Sequence, residues 1–171
     1  SFDETSVKNS AKALFYFSLG LPAFSLIEIF SSFIFARDNT KIPFYFSLIS
    51  VFLNVVISIT FFKEFGFIII PIATSISSWV NSSLLYIYLH KRQFFKLNKN
   101  LIFQLFRIFV SVTVMGICLI NLVSFFESQL TFENNFKAIY LIFLVILSIL
   151  IYFIVSLLTK AFKLSDIKIK Y

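Results

Sequence analysis

Apolar residues run along this chain in five long blocks, at about residues 13–36, 42–62, 66–89, 101–125 and 138–158, separated by short polar punctuation. A bilayer core of about 30 Å needs about 20 mainly apolar residues in helix, and each block supplies that length. Strands of a membrane barrel would alternate apolar and polar residues over about 10 positions. The run Leu141-Ile142-Phe143-Leu144-Val145-Ile146-Leu147 does not alternate. The pattern therefore predicts an all-α, polytopic membrane helix bundle with about five transmembrane helices. The connectors are short. Arg37-Asp38-Asn39-Thr40-Lys41 joins the first two spans, and Pro43 suits the opening turn of the second. Lys63-Glu64-Phe65-Gly66 makes a tight hairpin, with Gly66 a natural left-handed position. A basic connector runs from His90 to Asn100 and an acidic one from Phe126 to Lys137. Neither a flexible linker nor an internal repeat of fixed period is visible.

Composition agrees with this reading. The chain is 59% hydrophobic and 13% charged, with 26 Phe and a mean hydropathy of +0.94. Soluble domains carry about 25% charged residues, and one of about 150 residues still exposes roughly 30% of its chain surface. So much apolar surface requires lipid as its solvent, which excludes a soluble enzyme. The single Cys118 excludes a disulfide framework and a cysteine metal cluster. His90 is the only histidine and sits at a membrane edge. HExxH, GxSxG and Walker A sequences and paired acid–base carboxylates are all missing from the sequence, so no catalytic residue, cofactor or metal is expected. The chain opens Ser1-Phe2-Asp3-Glu4-Thr5, without an initiator Met or a basic segment ahead of a short apolar stretch. We expect a piece of a longer polypeptide rather than a signal peptide.

The net charge of +7 gains meaning once each charge is placed. With five spans, one membrane face holds Arg37, Lys41, Lys91, Arg92, Lys96, Lys99, Lys160, Lys163, Lys168 and Lys170. The other holds Lys8, Lys12, Lys63 and Lys137 together with Asp3, Glu4, Glu64, Glu127 and Glu133. The positive-inside rule then puts the C-terminus and the 37–41 and 90–100 connectors in the cytoplasm. The basic excess is accounted for without any nucleic acid.

Three spans carry polar residues at helical spacing. Ser18, Ser25, Glu28 and Ser32 share one face of the first; Ser47, Ser50, Asn54 and Ser58 one face of the second; Thr74, Ser78, Asn81 and Ser82 mark the third. Serines of this kind serve close helix packing, whereas Asn54 and Asn81 need a partner or water in lipid. Glu28, near mid-span, is costly in a bilayer and therefore a functional candidate. We expect its stripe to face the interior of the helix assembly, either hydrogen-bonded to Asn54 or Asn81, or binding a cation or an Arg supplied from outside this chain. Arg107, nearer the end of span four, is expected to snorkel to the interface. Span five has no charge and reads as lipid-facing. Pro22 and Pro71 are expected to interrupt spans one and three, as in transporters. Trp79, Tyr86 and Tyr88 read as packing residues or interface anchors.

Gly20-Leu21-Pro22-Ala23-Phe24-Ser25-Leu26-Ile27-Glu28-Ile29-Phe30, followed by Phe35-Ala36-Arg37-Asp38-Asn39-Thr40-Lys41-Ile42-Pro43, resembles the tenth helix and next loop of the murein lipid II flippases (MurJ/MviN). The likeness continues through Asn54, Gly66 and Ala73-Thr74-Ser75-Ile76-Ser77-Ser78-Trp79-Val80-Asn81, similar to that family's eleventh and twelfth helices. It covers about residues 13–92. Three positions depart from the family pattern: Glu28 stands where Lys is usual, Ser32 where Pro is usual and Ile69 where Gly is usual.

The resemblance implies about fourteen helices in two six-helix lobes, with the last two forming a side groove for a lipid tail. Residues 1–92 would be the last three helices of the C-terminal lobe. Residues 93–171 would be two additional transmembrane helices and a cytoplasmic tail. The implied function is movement of the lipid-linked peptidoglycan precursor lipid II from the cytoplasmic to the periplasmic leaflet of the bacterial inner membrane. Its partners would be membrane lipids, that precursor and the missing N-terminal lobe of the same protein. Since alternating access needs two lobes, the fragment alone is expected to be inactive. The candidate substrate or cavity residues are Glu28, Arg37, Lys41, Asn54, Asn81 and Arg107, with Arg37 and Lys41 at the cytoplasmic mouth. An O-antigen-type lipid-linked oligosaccharide exporter and a non-transporting membrane scaffold are the alternatives.

Overall fold

The computed structural model of the protein describes residues 4–37, 39–94, 98–130 and 136–161. Asp3, Asp38, Lys96, Glu133, Lys163, Lys168 and Lys170, which enter the sequence reading above, lie outside these residues. All regular structure among the described residues is helical. The helices are α1 (Glu4–Ser18), α2 (Leu21–Phe35), α3 (Lys41–Phe65), α4 (Ile69–Lys91), α5 (Lys99–Phe125) and α6 (Lys137–Leu158), with short 3₁₀ turns at Gly66–Ile68 and Glu127–Gln129. Four stretches are long and apolar enough to cross a membrane: Thr5–Phe35, Lys41–Lys91, Lys99–Phe125 and Lys137–Leu158. The second of these, 51 residues long, folds back on itself. Gly66 takes φ 59° and ψ −145°, a region essentially closed to residues with a Cβ. Across the bend, Asn39 meets Tyr88, Ser50 meets Ser77 and Asn54 meets Thr74, so α3 and α4 are antiparallel. Counted with α3 and α4 apart, the described residues offer five segments of spanning length in an all-α polytopic architecture.

The first crossing is made of two helices. It begins at Glu4, earlier than the apolar pattern indicates, because Thr5-Ser6-Val7-Lys8-Asn9-Ser10 is helical despite its polarity. It breaks after Ser18. Pro22, in the first turn of α2, has no N–H to give the Ser18 carbonyl, so the ladder stops there. Pro71 does not interrupt the third crossing, contrary to expectation. It lies in the first turn of α4, where the N–H groups have no intrahelical partner anyway. Pro43 does open α3 as its third residue.

The chain divides into two compact units, one built on α1–α4 and one on α5 and α6. In the first, α4 is the hub and packs against α1, α2 and α3. Its apolar core is Phe30, Ile34, Leu85 and Leu89, flanked by Leu26, Ile27, Phe46, Tyr86 and Tyr88. The outer faces carry bare hydrocarbon: Phe52 is 71% and Ile59 72% exposed, as a lipid-bathed surface requires. In the second unit, Ser111 of α5 and Leu144, Ser148 and Ser156 of α6 are buried, and Phe126 meets the rings of Tyr140 and Phe143. The rest of α6 is largely exposed.

Helices α4 and α6 end in the same way. Phe94 N–H donates to Leu89 O and Gln93 N–H to His90 O; Ala161 N–H donates to Ser156 O and Lys160 N–H to Leu157 O. These are paired Schellman bonds, built on Gln93 and Lys160, both at φ 56°. Each helix end thereby satisfies carbonyls that lack a partner within the helix.

Candidate functional site

Breaking a helix inside a membrane frees carbonyls that lipid cannot hydrogen-bond, at several kcal/mol each. Two side chains of α4 take them up. Ser75 Oγ donates to Tyr16 O at 2.6 Å, and Trp79 Nε1 donates to Leu19 O at 3.0 Å. Four residues apart, Ser75 and Trp79 share one face of α4. Gly20 lets that face come close, since a Cβ there would lie 2.9 Å from Ser75 Oγ and 3.2 Å from Ser75 Cα. Trp79 is therefore a hydrogen-bond donor to the split helix as well as a packing residue. The break at Pro22 was the available signal, because orphan carbonyls demand donors from a neighbour.

A second polar seam joins α3 to α4. Ser50 Oγ donates to Ser77 O at 2.6 Å, and Asn54 Nδ2 donates to Thr74 Oγ1 at 3.0 Å and to Ser77 Oγ at 3.4 Å. Ser58 Oγ in turn donates to Asn54 Oδ1 at 3.3 Å. Asn54 is thus occupied in holding two helices together. Asn81 is buried at 6% exposure, and its Oδ1 accepts no hydrogen bond from the described residues.

Glu28 differs from both. The face of α2 that packs into the bundle carries Ala23, Phe30 and Ile34. Ser25, Glu28 and Ser32 lie on the opposite face, all exposed, lining with Ile29, Phe33 and Ala36 a shallow depression of about 690 Å³. Glu28 has no hydrogen-bond partner among the described residues. The expected bond to Asn54 or Asn81 is not made, because those amides belong to α3 and α4 whereas the carboxylate points outward. Ser18 lies beyond the helix break and bonds Phe15 O in its own helix at 2.7 Å.

Arg37 sits just past the end of α2. Its guanidinium lies over the rings of Phe33 and Phe94, at 4.1 and 4.4 Å, and NH1 donates to Phe33 O at 3.1 Å. Lys41 is the exposed first residue of α3. Arg107 belongs to the other unit and is exposed, reaching toward the end of α6. Its NH1 donates to Lys160 O at 3.4 Å, beside Gln104 Nε2 to Ala161 O at 3.3 Å and a Ser111–Thr159 hydroxyl pair at 3.1 Å. The cation meets the negative end of α6, a favourable pairing with the helix dipole. Of the six candidates, the structure joins Asn54 to the α3–α4 seam and buries Asn81 in α4. Glu28 lies on the exposed face of α2, and Arg37, past the end of that helix, is held against Phe33 and Phe94.

Comparison with known proteins brings these features together. The family model for lipid II flippase MurJ matches residues 1–141. Among similar proteins, a probable lipid II flippase MurJ of Rickettsia prowazekii is 31% identical over 68% of this chain and 23% of its own length. Proteins of the same name from Vibrio cholerae and Rhizobium tropici are 26% and 29% identical, over 98% and 92% of this chain and 32% and 30% of their own lengths. The chain thus spans about a third or less of the curated relatives it matches. With the family model covering most of its residues and the helical membrane architecture in agreement, this chain belongs to the lipid II flippase MurJ family.

Proposed function

We propose that this chain is the C-terminal part of a flippase that moves the lipid-linked peptidoglycan precursor from the cytoplasmic to the periplasmic leaflet of the bacterial inner membrane. Residues 1–92 act as the last three helices of its second lobe, and residues 93–171 as two further helices that shelter the lipid tail. The observation that carries this reading is the outward face of α2. A carboxyl group facing hydrocarbon would be unsatisfied, so Ser25, Glu28 and Ser32 face the water-filled cavity shared with the first lobe. There they solvate the polar head of the cargo, while the apolar flanks of the bundle meet lipid. No bond is made or broken in this work, in keeping with a sequence that carries no catalytic constellation. The chain alone lacks the other wall of the cavity and does not transport.

The orientation supported by the basic connectors puts Arg37, Lys41 and the end of α4 on the cytoplasmic side. A cysteine at Gln93 labelled from the cytoplasm, and one at Glu127 labelled from the periplasm, are the expected results; the reverse pattern would overturn it.

The function is tested by depleting the full-length protein and assaying lipid II accumulation in cells complemented with variants. Hydrogen bonds to a charged group contribute about 1.5–3 kcal/mol, so Glu28→Gln should slow flipping about tenfold or more at normal abundance. Glu28→Leu should slow it further. Unimpaired transport by both variants would remove the cavity assignment of this face.

A further inference from the structure

The Arg37 arrangement has features that neither helix packing nor topology requires. Its guanidinium carbon lies over two aromatic rings, one in α2 and one just past α4, 4.1 Å from the centroid of Phe33 and 4.4 Å from that of Phe94. NH1 is tied to Phe33 O. Such a cation is restrained, yet the residue stays exposed and its other donors have no hydrogen bond among the described residues. Those donors belong to the planar fork of N–H groups that fits a phosphate. The second ring is brought there by the turn after α4. Gln93 takes φ 56°, an uncommon conformation for a residue with a Cβ, and Phe94 then folds back with its N–H on Leu89 O. The connector and this turn are fastened together by Asn39 Nδ2 to Tyr88 OH at 3.3 Å. Arg92 lies over the same Tyr88 ring at 5.9 Å, and Lys41 and Lys91 stand at the same end of the bundle.

We propose that Arg37, held between Phe33 and Phe94, is a binding site for the headgroup phosphate of an anionic membrane phospholipid. This rests on the reading that this end of the bundle lies at a membrane surface. One observation favours a lipid over a soluble phosphate. The rings beside the guanidinium are themselves exposed, Phe33 by 37% and Phe94 by 40%, so hydrocarbon borders the charged group. A phospholipid uses the two together, placing its phosphate on the donors and its acyl chains along the rings, whereas a free phosphate gains nothing from the rings. Lys41, Lys91 and Arg92 at the same end of the bundle favour a lipid with net negative charge.

The test is lipid retention by the full-length protein, purified in mild detergent with phosphatidylglycerol or phosphatidylcholine and read by native mass spectrometry. The wild type should retain phosphatidylglycerol in preference. Arg37→Gln should lower that retention about tenfold, Arg37→Lys should restore it only in part because an ammonium has no fork, and Phe94→Ala should weaken it while leaving phosphatidylcholine binding unchanged. Retention of phosphatidylglycerol by Arg37→Gln at the wild-type level overturns the site, as does displacement of the lipid by millimolar inorganic phosphate. Displacement by the flippase's own cargo at equimolar concentration would also overturn it, by making Arg37 a cargo contact. Flipping is measured on the same variants. Normal lipid retention with lost flipping would refute this site and leave the proposed function standing.

Discussion

Helices α2 and α4 carry the same kind of signal in sequence and use it in opposite ways. Each has polar residues at helical spacing within an apolar run. On α2 the stripe Ser25–Glu28–Ser32 is exposed, and the packed face is Ala23, Phe30 and Ile34. On α4 the polar residues are inside: Ser75, Ser77, Ser78, Asn81 and Ser82 are all buried. Periodicity shows that residues share a face but not which neighbour that face meets. Chemistry decides the direction. A serine hydroxyl can bond a carbonyl of its own or an adjacent helix, so it is compatible with close packing. The carboxylate of Glu28 can only accept, and burying a charge without a paired cation is costly. The stripe with the charge is the one turned outward.

The sharpest way to break this comparison is to put the same bulky residue on each stripe. Ser77 is 4% exposed, and its hydroxyl and carbonyl meet Asn54 and Ser50. Ser77→Leu forces extra volume into the α3–α4 seam, and overpacking costs about 1–3 kcal/mol. The full-length protein should lose heat stability in detergent and fall in abundance. Ser32→Leu, on the outward face, should change stability by no more than about 0.5 kcal/mol while impairing lipid II export. Equal losses of stability in the two variants would show that the α2 stripe is packed after all.

Much of the architecture was legible because membrane crossing is a question of apolar length, and length is written directly in sequence. The bend at Gly66 and the opening of α3 at Pro43 follow from local backbone chemistry. The break at Leu19–Gly20 was half legible: Pro22 announced it, but the donors that close it did not stand out. The periodic reading of α4 gathered Thr74, Ser78, Asn81 and Ser82 and passed over Ser75 and Ser77. A hub helix has several packed faces, and Ser75 bonds α1 while Ser77 is bonded from α3, about 200° apart around the axis at 3.6 residues per turn. A single stripe cannot describe such a helix. Arg107 was opaque for another reason. Its partner carbonyl on Lys160 is 53 residues away in sequence, and nothing local to α5 signals that α6 ends beside it.

The clasp on the split helix offers a finer comparison, between steric fit and hydrogen bonding at one junction. Gly20→Ala puts a Cβ 2.9 Å from Ser75 Oγ and 3.2 Å from Ser75 Cα. The hydroxyl can swing away only by giving up its bond to Tyr16 O, and the backbone atom cannot swing at all. A loss of about 1–3 kcal/mol in stability of the full-length protein is expected. Adding Ser75→Ala removes the nearer contact, so the double variant should be less destabilised than the sum of the two single changes. Trp79→Phe removes only the indole N–H from Leu19 O. Interhelical hydrogen bonds in membranes average about 0.6 kcal/mol, and Trp79 is 44% exposed, so this change should be the smallest of the series. Thermal unfolding in one detergent ranks the variants. If Trp79→Phe proved as damaging as Gly20→Ala, the indole bond rather than the close approach of Gly20 to α4 would be what holds the two halves of the first crossing in place.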